Sequence, residues 1–264
     1  MEPVIQLEGL CKSYGEHRVL NDINLTVYPG EVIGYIGPNG AGKSTTVKIL
    51  CGLIPDFEGR VTVKGLDLRK DTLAVKKIIG YVPELAELYE SLTANEFLDL
   101  IAGLYEIPAD IADQRITSML AAFDLAAVAN DRIDTYSKGM RQKVLLISGL
   151  LNNPDILILD EPLSGLDANS VIIVKELISR LAAEGKTIFY SSHMMDVVEK
   201  VSHRIILLNG GKLIADGSFA ELQGQIGKES LETIFASLTA NTGLHDAAAA
   251  LAGALNQSPT NGTE

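Results

Sequence analysis

Short apolar segments with partial alternation dominate the first third of the chain, which is the pattern of β-strands rather than helices. The segments at 4–7 and 23–28 alternate around a polar stretch, which predicts an antiparallel pair. Further strands are expected at 31–36, 59–63 and 78–82, and a helix at 42–53. We therefore expect an antiparallel N-terminal sheet beside the start of an α/β core.

The pattern changes between about 86 and 152, where apolar residues recur at helical spacing. The first such helix carries Phe97, Leu98, Ile101, Leu104 and Tyr105. Thr93 with Glu96 three residues later is the spacing of a capping box that begins this helix. The sequence therefore predicts an all-helical lobe inserted between two halves of the core.

Strands and helices alternate again after Asp155. The segment 156–159 is apolar without interruption, as strands buried on both faces are. Further strands are predicted at 187–190 and 204–208, helices at 170–183 and from about 194, and a hairpin at Asn209-Gly210-Gly211. Alternating strands and helices favour right-handed crossovers and a mostly parallel central sheet.

The end of the chain is different in composition. An alanine-rich stretch at 245–255 favours helix, and the polar segment after it is expected to be frayed. We therefore divide the chain into a main domain of residues 1–225, with the lobe at about 86–152, and a helical or low-complexity tail of residues 226–264.

Charge and cysteine content exclude several classes of protein. The 264 residues include 34 acidic and 22 basic side chains, a net charge of -12, which repels a phosphate backbone and argues against a nucleic-acid partner. Cys11 and Cys51 are too few for a disulfide framework or a zinc site, which fits a reducing compartment. No apolar run approaches the roughly 18 residues of a membrane span, and the N-terminus lacks a signal-peptide pattern. We expect an intracellular chain that reaches a membrane only through a partner.

One glycine-rich segment matches the pattern G-x-x-x-x-G-K-[ST] between a predicted strand and a predicted helix. Its residues, with the threonine that follows, are Gly37, Pro38, Asn39, Gly40, Ala41, Gly42, Lys43, Ser44 and Thr45. Such a loop turns backbone N–H groups toward a phosphate at the positive end of a helix. Lys43 would reach the β- and γ-phosphates and the Ser44 hydroxyl would bind Mg²⁺. The alternative is a glycine-rich turn that happens to precede a lysine.

Two acidic residues end the predicted strand at 156–159. Asp160 suits a ligand of Mg²⁺, and Glu161 suits a group that polarises an attacking water. Like charges 4 Å apart interact by about 4 kcal/mol at an effective dielectric constant of 20, so these carboxylates need Mg²⁺ and Lys43 between them and a triphosphate. The two motifs together indicate a P-loop ATPase whose cofactors are ATP and Mg²⁺.

Upstream of the acidic pair, the segment Tyr-Ser-Lys-Gly-Met-Arg-Gln at 136–142 resembles the LSGGQ linker of ABC transporter nucleotide-binding subunits. The resemblance covers roughly residues 4–220. It implies an α/β fold, a P-loop ABC cassette with a mostly parallel central sheet, an N-terminal antiparallel β subdomain and an inserted helical subdomain. The SKGM form of the linker is similar to that of exporter-type cassettes.

The resemblance also implies a dimer interface. Ser137 and Gly139 match positions that contact the γ-phosphate bound to the opposite subunit, whereas Lys138 and Met140 depart from the usual glycine and glutamine. Asp167, in the loop after the acidic pair, matches a residue that crosses the interface. Ser137 is equally read as the N-cap of a helix, and both roles can hold at once.

Three further positions follow from the resemblance. Tyr14 matches an aromatic that stacks on adenine, although a half-buried tyrosine at a strand end is the alternative. His193 matches a histidine that bonds the γ-phosphate, against the alternative of a helix cap. Glu84 stands where the family normally has a glutamine near Mg²⁺ and the attacking water, and glutamate keeps the oxygen ligand. The remaining histidines, His17, His203 and His245, match no family position.

The function implied is ATP hydrolysis that powers transport through a separately encoded transmembrane permease subunit, with export favoured. The working unit would be a homodimer, or a heterodimer with a second cassette, enclosing two ATP molecules. It would be cytoplasmic and peripheral on the inner face of the cell membrane. Two alternatives stay open: a soluble ABC-type ATPase of iron–sulfur assembly or a similar role, and a regulatory cassette that binds ATP without turnover. The transported substrate is not readable from these residues.

Overall fold

Two β-sheets form the framework of the protein. The computed structural model describes residues 1–85, 88–226 and 230–239. Within these ranges one sheet has four strands in the order β2-β1-β4-β5 and the other has six in the order β10-β9-β3-β8-β7-β6. The strands are β1 (Ile5–Tyr14), β2 (His17–Val27), β3 (Val32–Ile36), β4 (Glu58–Val63), β5 (Leu66–Asp67), β6 (Ile79–Val82), β7 (Ile156–Asp160), β8 (Thr187–Ser191), β9 (Arg204–Asn209) and β10 (Lys212–Gly217).

Helices flank the six-stranded sheet and form a separate lobe. They are α1 (Lys43–Leu50), α2 (Thr72–Ile78), α3 (Ala94–Leu104), α4 (Ala109–Ala122), α5 (Lys138–Leu150), α6 (Ala168–Ala183), α7 (Met195–Val201), α8 (Phe219–Ile226) and α9 (Leu231–Leu238). Short 3₁₀ turns lie at Ala126–Val128 and Ile133–Thr135. In the described ranges, no helix has both the length and the apolar character needed to cross a bilayer.

The six-stranded sheet is the parallel core that the sequence predicts. Strands β9, β3, β8, β7 and β6 are parallel, and only β10 is antiparallel to its neighbour. Every residue of β3, β7 and β8 is buried, which explains why these strands read as unbroken apolar runs. The predicted hairpin joins β9 to β10 through Gly210 and Gly211, whose φ values of 52° and 74° require glycine-like backbone freedom.

The antiparallel sheet is more extensive than the alternation suggests. Strands β1 and β2 run to ten and eleven residues, well beyond the segments expected at 4–7 and 23–28. Their pairing register shifts at three places between Leu7 and Ser13, and each shift interrupts the two-residue period. The sequence pattern also missed the two-residue strand β5 and the seven-residue helix α2, which buries only Val75.

The helical lobe consists of α3, α4 and α5 between β6 and β7. The predicted capping box is confirmed, because Thr93 Oγ1 accepts from Glu96 N at 3.1 Å and Glu96 Oε2 accepts from Thr93 N at 2.8 Å. Phe97 and Leu98 are buried, but Leu104 is 69% exposed, so it does not share their face as the spacing suggested.

The last described helices cover the core on the side of α7. Leu231 and Ile234 of α9 are fully buried, and α9 contacts both α7 and α8. Ser230 caps α9 by accepting from Thr233 N. The alanine-rich stretch predicted at 245–255 and the polar end lie outside the described residues.

Candidate active site

Four loops meet at the carboxyl edge of the parallel sheet. The glycine-rich loop follows β3, Glu84 follows β6, the acidic pair ends β7, and His193 follows β8. Because these strands are parallel, all four loops emerge on the same edge, where α/β sheets bind ligands. Asp160 pairs with Ser191 in register, so the acidic pair lies beside the end of β8.

The glycine-rich loop fits tightly against the chain around it. Gly42, at the N-cap of α1, has φ 109°, and a Cβ there would lie 2.5 Å from Leu20 Cδ2. A Cβ on Gly37 would overlap the carbonyl oxygen of Leu208. Larger residues at these two positions would displace the loop from the edge of the sheet. The packing of the loop alone therefore explains why both positions are glycine.

Lys43 is folded back on the loop that carries it. Its side chain is buried, and Nζ donates to the carbonyl oxygens of Gly37 at 2.6 Å and Pro38 at 3.3 Å. Burial lowers the pKa of the Lys43 amine, and the Glu161 and Asp160 carboxylates oppose that shift. A phosphate entering the loop would therefore meet a cation with no carboxylate bonded to it, held by exchangeable bonds to carbonyl groups.

Asp160 is a buried carboxylate with hydroxyl partners. Ser191 Oγ donates to Asp160 Oδ1 at 2.9 Å. Burial raises the pKa of Asp160, the hydrogen bond from Ser191 opposes the rise, the charge of Glu84 adds to it, and a hydrogen bond from Ser44 opposes it. Ser44, Glu84 and Asp160 thus present three oxygen-bearing side chains within electrostatic reach of one another.

Glu161 bends the chain directly after β7. Its φ of 49° lies in the left-handed region, which few residues other than glycine adopt without strain. Ser192 Oγ donates to Glu161 Oε2 at 3.3 Å and His193 N donates to the same oxygen at 3.2 Å. His193 Nε2 lies 3.2 Å from Oε1 without hydrogen-bond alignment, so this buried oxygen has no hydrogen-bond partner among the described residues. Burial raises the pKa of Glu161, and the neighbouring His193 and Lys43 oppose the rise.

A cavity of about 300 Å³ joins these side chains. It brings together most of the residues expected at the site and adds three others, His17, Val19 and Ser191. The residues that line it are His17, Val19, Asn39, Gly40, Ala41, Gly42, Lys43, Ser44, Thr45, Glu84, Asp160, Glu161, Ser191 and His193. The cavity combines a glycine-rich backbone with one buried amine, carboxylates and hydroxyl groups. This composition suits a polyphosphate and a hard cation.

His17, which matches no family position, also lines this cavity. It begins β2 immediately after the turn from Tyr14, and the β1–β2 hairpin carries it to the glycine-rich loop. No local sequence signal marks this, because the proximity arises only when the antiparallel sheet lies over the core.

Tyr14, Ser137 and Gly139, all within the described ranges, lie outside the cavity. The ring of Tyr14 is half exposed at the end of β1, and Lys12 Nζ lies 4.9 Å from its centroid. Lys12 is itself buried and forms an ion pair with Asp56 at 3.0 Å. Tyr14 is therefore supported on one face by a cation and open to solvent.

The linker residues form contacts within the chain. Ser137 caps α5 by accepting from Met140 N at 3.3 Å, as the capping interpretation requires. Lys138 Nζ donates to Ser164 Oγ at 3.3 Å. Asp167 caps α6 and pairs with Lys143 of α5 at 2.9 Å. The linker helix and the loop after Glu161 are thus tied together, away from the cavity.

The donor set at the edge of the sheet fits Mg²⁺ as a partner of phosphates. The described residues contain no cluster of three or more histidine, cysteine or carboxylate side chains suited to a metal ion. Mg²⁺ does not need such a cluster, since it is commonly held by one or two carboxylates together with substrate phosphates. Ser44 and Asp160 offer a hydroxyl and a carboxylate, and Glu84 a further carboxylate, beside the loop that would hold the phosphates.

A phosphate loop between a strand and a helix, with an acidic pair at the end of a neighbouring parallel strand, defines a P-loop nucleotide-binding fold. The family model for the ABC transporter matches residues 20–164. An ABC transporter ATP-binding protein of Nostoc sp. strain PCC 7120, itself uncharacterized, is 44% identical over 207 residues, which is 78% of this chain and 61% of that relative. The linearmycin resistance ATP-binding protein LnrL of Bacillus subtilis strain 168 is 35% identical over 228 residues, 86% of this chain and 73% of that protein.

Solved structures agree with the sequence relatives. A structure of an ATP-binding subunit of an ABC transporter has a TM-score of 0.85 at 31% identity, covering 89% of this chain and 99% of that one. The dimeric post-hydrolysis state of the cassette MJ0796 bound to ADP and Pi has a TM-score of 0.75 at 27% identity, covering 81% and 98%. The chain belongs to the ABC transporter family and has the fold of its ATP-binding subunits, as the linker segment predicted.

Proposed function

We propose that this protein binds Mg·ATP in the cavity at the edge of the parallel sheet and hydrolyses it to drive transport through a separate transmembrane subunit. The observation that carries the proposal is the single cavity that joins Lys43, Ser44, Asp160, Glu161 and His193. These residues come from three strand ends and were expected from separate motifs. Membership of the ABC ATPase family is consistent with ATP hydrolysis.

Each side chain has a distinct part in the proposed reaction. Lys43 exchanges its carbonyl partners for phosphate oxygens and neutralises charge on the β- and γ-phosphates. Ser44 and Asp160 would hold Mg²⁺, with Glu84 beside them. The ion supplies electrostatic stabilisation of the phosphates when it is bound. Glutamate retains the oxygen that the usual glutamine would offer, so Glu84 is compatible with activity.

Glu161 orients the attacking water and accepts its proton. Its buried Oε1 is an acceptor without a hydrogen-bond partner in the described part of the chain, and it lines the cavity. Burial raises the pKa of this carboxyl group, which brings a general base closer to the operating pH. His193 lies beside it and would bond the γ-phosphate. The left-handed backbone at Glu161 directs the chain from β7 toward that histidine.

The working unit in this proposal is a head-to-tail dimer with two ATP molecules at its interface. Ser137 and Gly139 lie outside the chain's own cavity and are available to contact the γ-phosphate bound by a second cassette. Lys138, Met140 and Asp167 would lie at the same interface. The dimeric structure of MJ0796 supports this arrangement, in which two-fold symmetry would pair each cavity with one linker. Tyr14, open to solvent, would stack on adenine.

Coupling to a membrane permease and export of the substrate are the finer parts of the proposal. The relatives named as ABC transporter and resistance ATP-binding proteins support both, because resistance follows when a toxic compound leaves the cell. The chain would then be cytoplasmic and attached to the inner face of the membrane through that permease. The relatives give no support to a role in iron–sulfur assembly.

The decisive experiment separates binding from turnover with Glu161→Gln. Glutamine keeps the shape of glutamate but has no charge and cannot act as a base. We expect this variant to bind Mg·ATP at least as well as the wild type, to hydrolyse it about 10² to 10⁴ times more slowly, and to form a dimer with ATP but not with ADP. Phosphate release and size-exclusion chromatography measure these outcomes. Glu176→Gln, an exposed glutamate on α6, is the matched control.

Three results would count against the proposal in different ways. Turnover of Glu161→Gln near the wild-type rate would show that Glu161 is not the general base and leave His193 as the next candidate. An inactive variant that never dimerises with ATP would be consistent with Glu161 as the base but would refute the dimer. A wild-type protein that binds ATP without releasing phosphate would indicate the regulatory role instead.

A further inference from the structure

A second cavity, of about 270 Å³, lies at the opposite end of β7 from the ATP cavity. Leu157 lines it near the start of the strand, and Asp160 lines the ATP cavity at the end. Three residues of extended chain span roughly 10 Å, so these two lining residues are close together. The two cavities nevertheless share no lining residue. No step of the proposed ATPase reaction uses this second cavity.

The walls of the second cavity are apolar and come from both the helical lobe and the α/β core. Helix α4 of the lobe contributes one wall, helix α6 another, and β7 with the end of α5 forms the floor. Its apolar lining consists of Met119, Ala122, Phe123, Leu150, Pro154, Leu157, Ile173, Leu177 and Leu181. A ligand seated there would touch the helical lobe and the core together.

Two cations stand at the rim of this apolar space, Arg115 on α4 and Lys186 before β8. Arg115 Nη1 donates to the Leu151 carbonyl oxygen at 2.7 Å, and no carboxylate of the described ranges lies within ion-pair distance of its guanidinium. Lys186 Nζ donates to the Asn153 carbonyl oxygen at 3.2 Å. Both donors of the rim therefore bond carbonyl groups, and only Lys186 also has a carboxylate within ion-pair distance.

The nearest acid compensates this positive charge only in part. Asp155 lies 3.8 Å from Lys186 Nζ, but Lys64 Nζ contacts the same carboxylate at 2.5 Å. The hydrogen bond from Lys64 is the main reason why the pKa of Asp155 is lowered. One carboxylate thus serves two lysines, and the residues that line the cavity include two cations, Arg115 and Lys186, and no carboxylate, in a chain whose net charge is -12.

We propose that this cavity binds an amphipathic monoanion: a carboxylate on an unbranched apolar chain of about eight to ten carbons. The volume corresponds to about nine groups of roughly 30 Å³, the size of a water molecule or a methylene group. The apolar chain would lie between α4 and α6. The planar guanidinium of Arg115 would bind the carboxylate in bidentate fashion, with Lys186 as a second donor.

Octanoate is the probe that tests this site, with the full-length chain. Isothermal titration calorimetry and thermal unfolding should show saturable binding and a Tm that rises with octanoate concentration, because ligand binding stabilises the folded state. Acetate, which lacks the chain, and 1-octanol, which lacks the charge, should bind at least tenfold more weakly. Saturating Mg·ATP should leave octanoate affinity unchanged, since the cavities share no residue.

Two variants test the two halves of the site. Arg115→Gln should raise the Kd for octanoate about tenfold or more, and Ala122→Phe, at an exposed position on the cavity wall, should abolish binding by filling the space. Arg180→Gln, which removes an exposed cation from α6, is the matched control and should leave binding unchanged. Circular dichroism checks that each variant is folded.

Several outcomes would overturn the proposal. Equal affinity for octanoate and 1-octanol would refute the role of the cations, and so would an unchanged Kd in Arg115→Gln. Binding that survives Ala122→Phe, or that Mg·ATP competes away, would place octanoate elsewhere. An absence of saturable binding in the millimolar range would refute the site itself. None of these outcomes depends on whether the protein hydrolyses ATP.

Discussion

The ATP cavity and the linker at the start of α5 contrast in how complete each is within one chain. The cavity joins four strand ends of a buried sheet, and its charged side chains already lie beside one another. The linker residues Ser137 to Met140 lie at the N-terminus of a helix; their side-chain hydrogen bonds are a helix cap and a bond to Ser164, and Met140 packs against the core. Folding of one chain is enough to assemble the ATP cavity. The polar side chains of the linker, in contrast, make only hydrogen bonds that stabilise the fold.

In the dimer proposed above, this difference separates the region that one chain completes from the region that would act on a second chain. A site built from strand ends is held by the hydrogen bonds of the sheet, so its geometry exists before nucleotide arrives. The linker has a capped helix end, and its residues Ser137 and Gly139 do not line the ATP cavity. In the dimer proposed above this surface would serve the site on the other chain, so its contribution should be measurable only when two chains meet.

The largest expected effect is in the cavity. Lys43→Ala removes the cation among the phosphates, and charged hydrogen bonds of this kind contribute about 2–3 kcal/mol, so the Kd for Mg·ATP should rise about 100-fold. Isothermal titration calorimetry on the monomer measures this. Lys48→Ala, an exposed lysine on the same helix, should bind as the wild type does. Unchanged affinity in Lys43→Ala would refute the cavity as the phosphate site.

A change in the linker should have the opposite effect to Lys43→Ala: Mg·ATP binding should stay normal and ATP-dependent dimerisation should be impaired. Ser137→Asp, made in the Glu161→Gln background, keeps a good N-cap but adds a negative charge toward the partner's γ-phosphate. Like charges 4 Å apart cost about 1–4 kcal/mol across dielectric constants of 80 to 20, so ATP-dependent dimerisation should weaken at least tenfold.

Ser137→Thr is the control for the linker, because threonine keeps both the hydroxyl and the cap. Size-exclusion chromatography with ATP compares the two variants. A dimer of undiminished stability in Ser137→Asp would leave Ser137 with its capping role alone, and the linker would no longer differ from any other helix end.

Substitutions of Glu84, at the edge of the cavity, should have a smaller effect on ATPase activity. Glu84→Gln keeps a side-chain oxygen and should retain most ATPase activity, whereas Glu84→Ala removes the oxygen and should lose about tenfold. Phosphate release at saturating ATP, with Mg²⁺ varied, measures both rates. The same rate in all three proteins would mean that the side chain at this position does not contribute to the metal site.

The smallest effect concerns Asp167, which ties the loop after the acidic pair to the linker helix α5 through Lys143. Hydrogen bonds from Ser170 and Lys143 hold the pKa of Asp167 well below its usual range. The stabilisation is therefore full above the ordinary aspartate pKa of about 3.9 and declines as the pH falls below it. Asp167→Ala should lower Tm by a few degrees at most at pH 7, and the difference should narrow in acid.

Thermal unfolding at a series of pH values checks this sign. Glu176→Ala, which breaks an exposed ion pair with Arg180 on the same helix, is the control for loss of one negative charge. A gap between Asp167→Ala and the wild type that widens in acid would contradict the assigned cause.

The predictions from sequence succeeded where one short segment determines the structure. Thr93 with Glu96 forms the expected capping box, and the Asn209 hairpin joins β9 to β10. The glycine-rich loop lies between strand and helix because its own residues require that turn. Membership of the family followed from the linker at 136–142, and the relatives confirm it.

The failures occur where distant segments determine the structure. His17 reaches the cavity only because the β1–β2 hairpin lies against the core, and the register shifts of that hairpin concealed its length. The left-handed backbone of Glu161 has no local sequence signature, since glutamate rarely adopts it. The second cavity is formed by helices that are far apart in sequence, so no window of residues could indicate it.

The central position of β3 has a consequence for the order of events during synthesis. This strand carries the phosphate loop, yet both of its neighbours, β8 and β9, are encoded late, and Val32 N bonds the His203 ring 171 residues further on. At roughly 5–20 residues per second, a ribosome needs about 10 to 30 s to add that stretch. Until then the phosphate loop of the nascent chain has no sheet to hold it, and nucleotide capture must wait for the last strands to emerge.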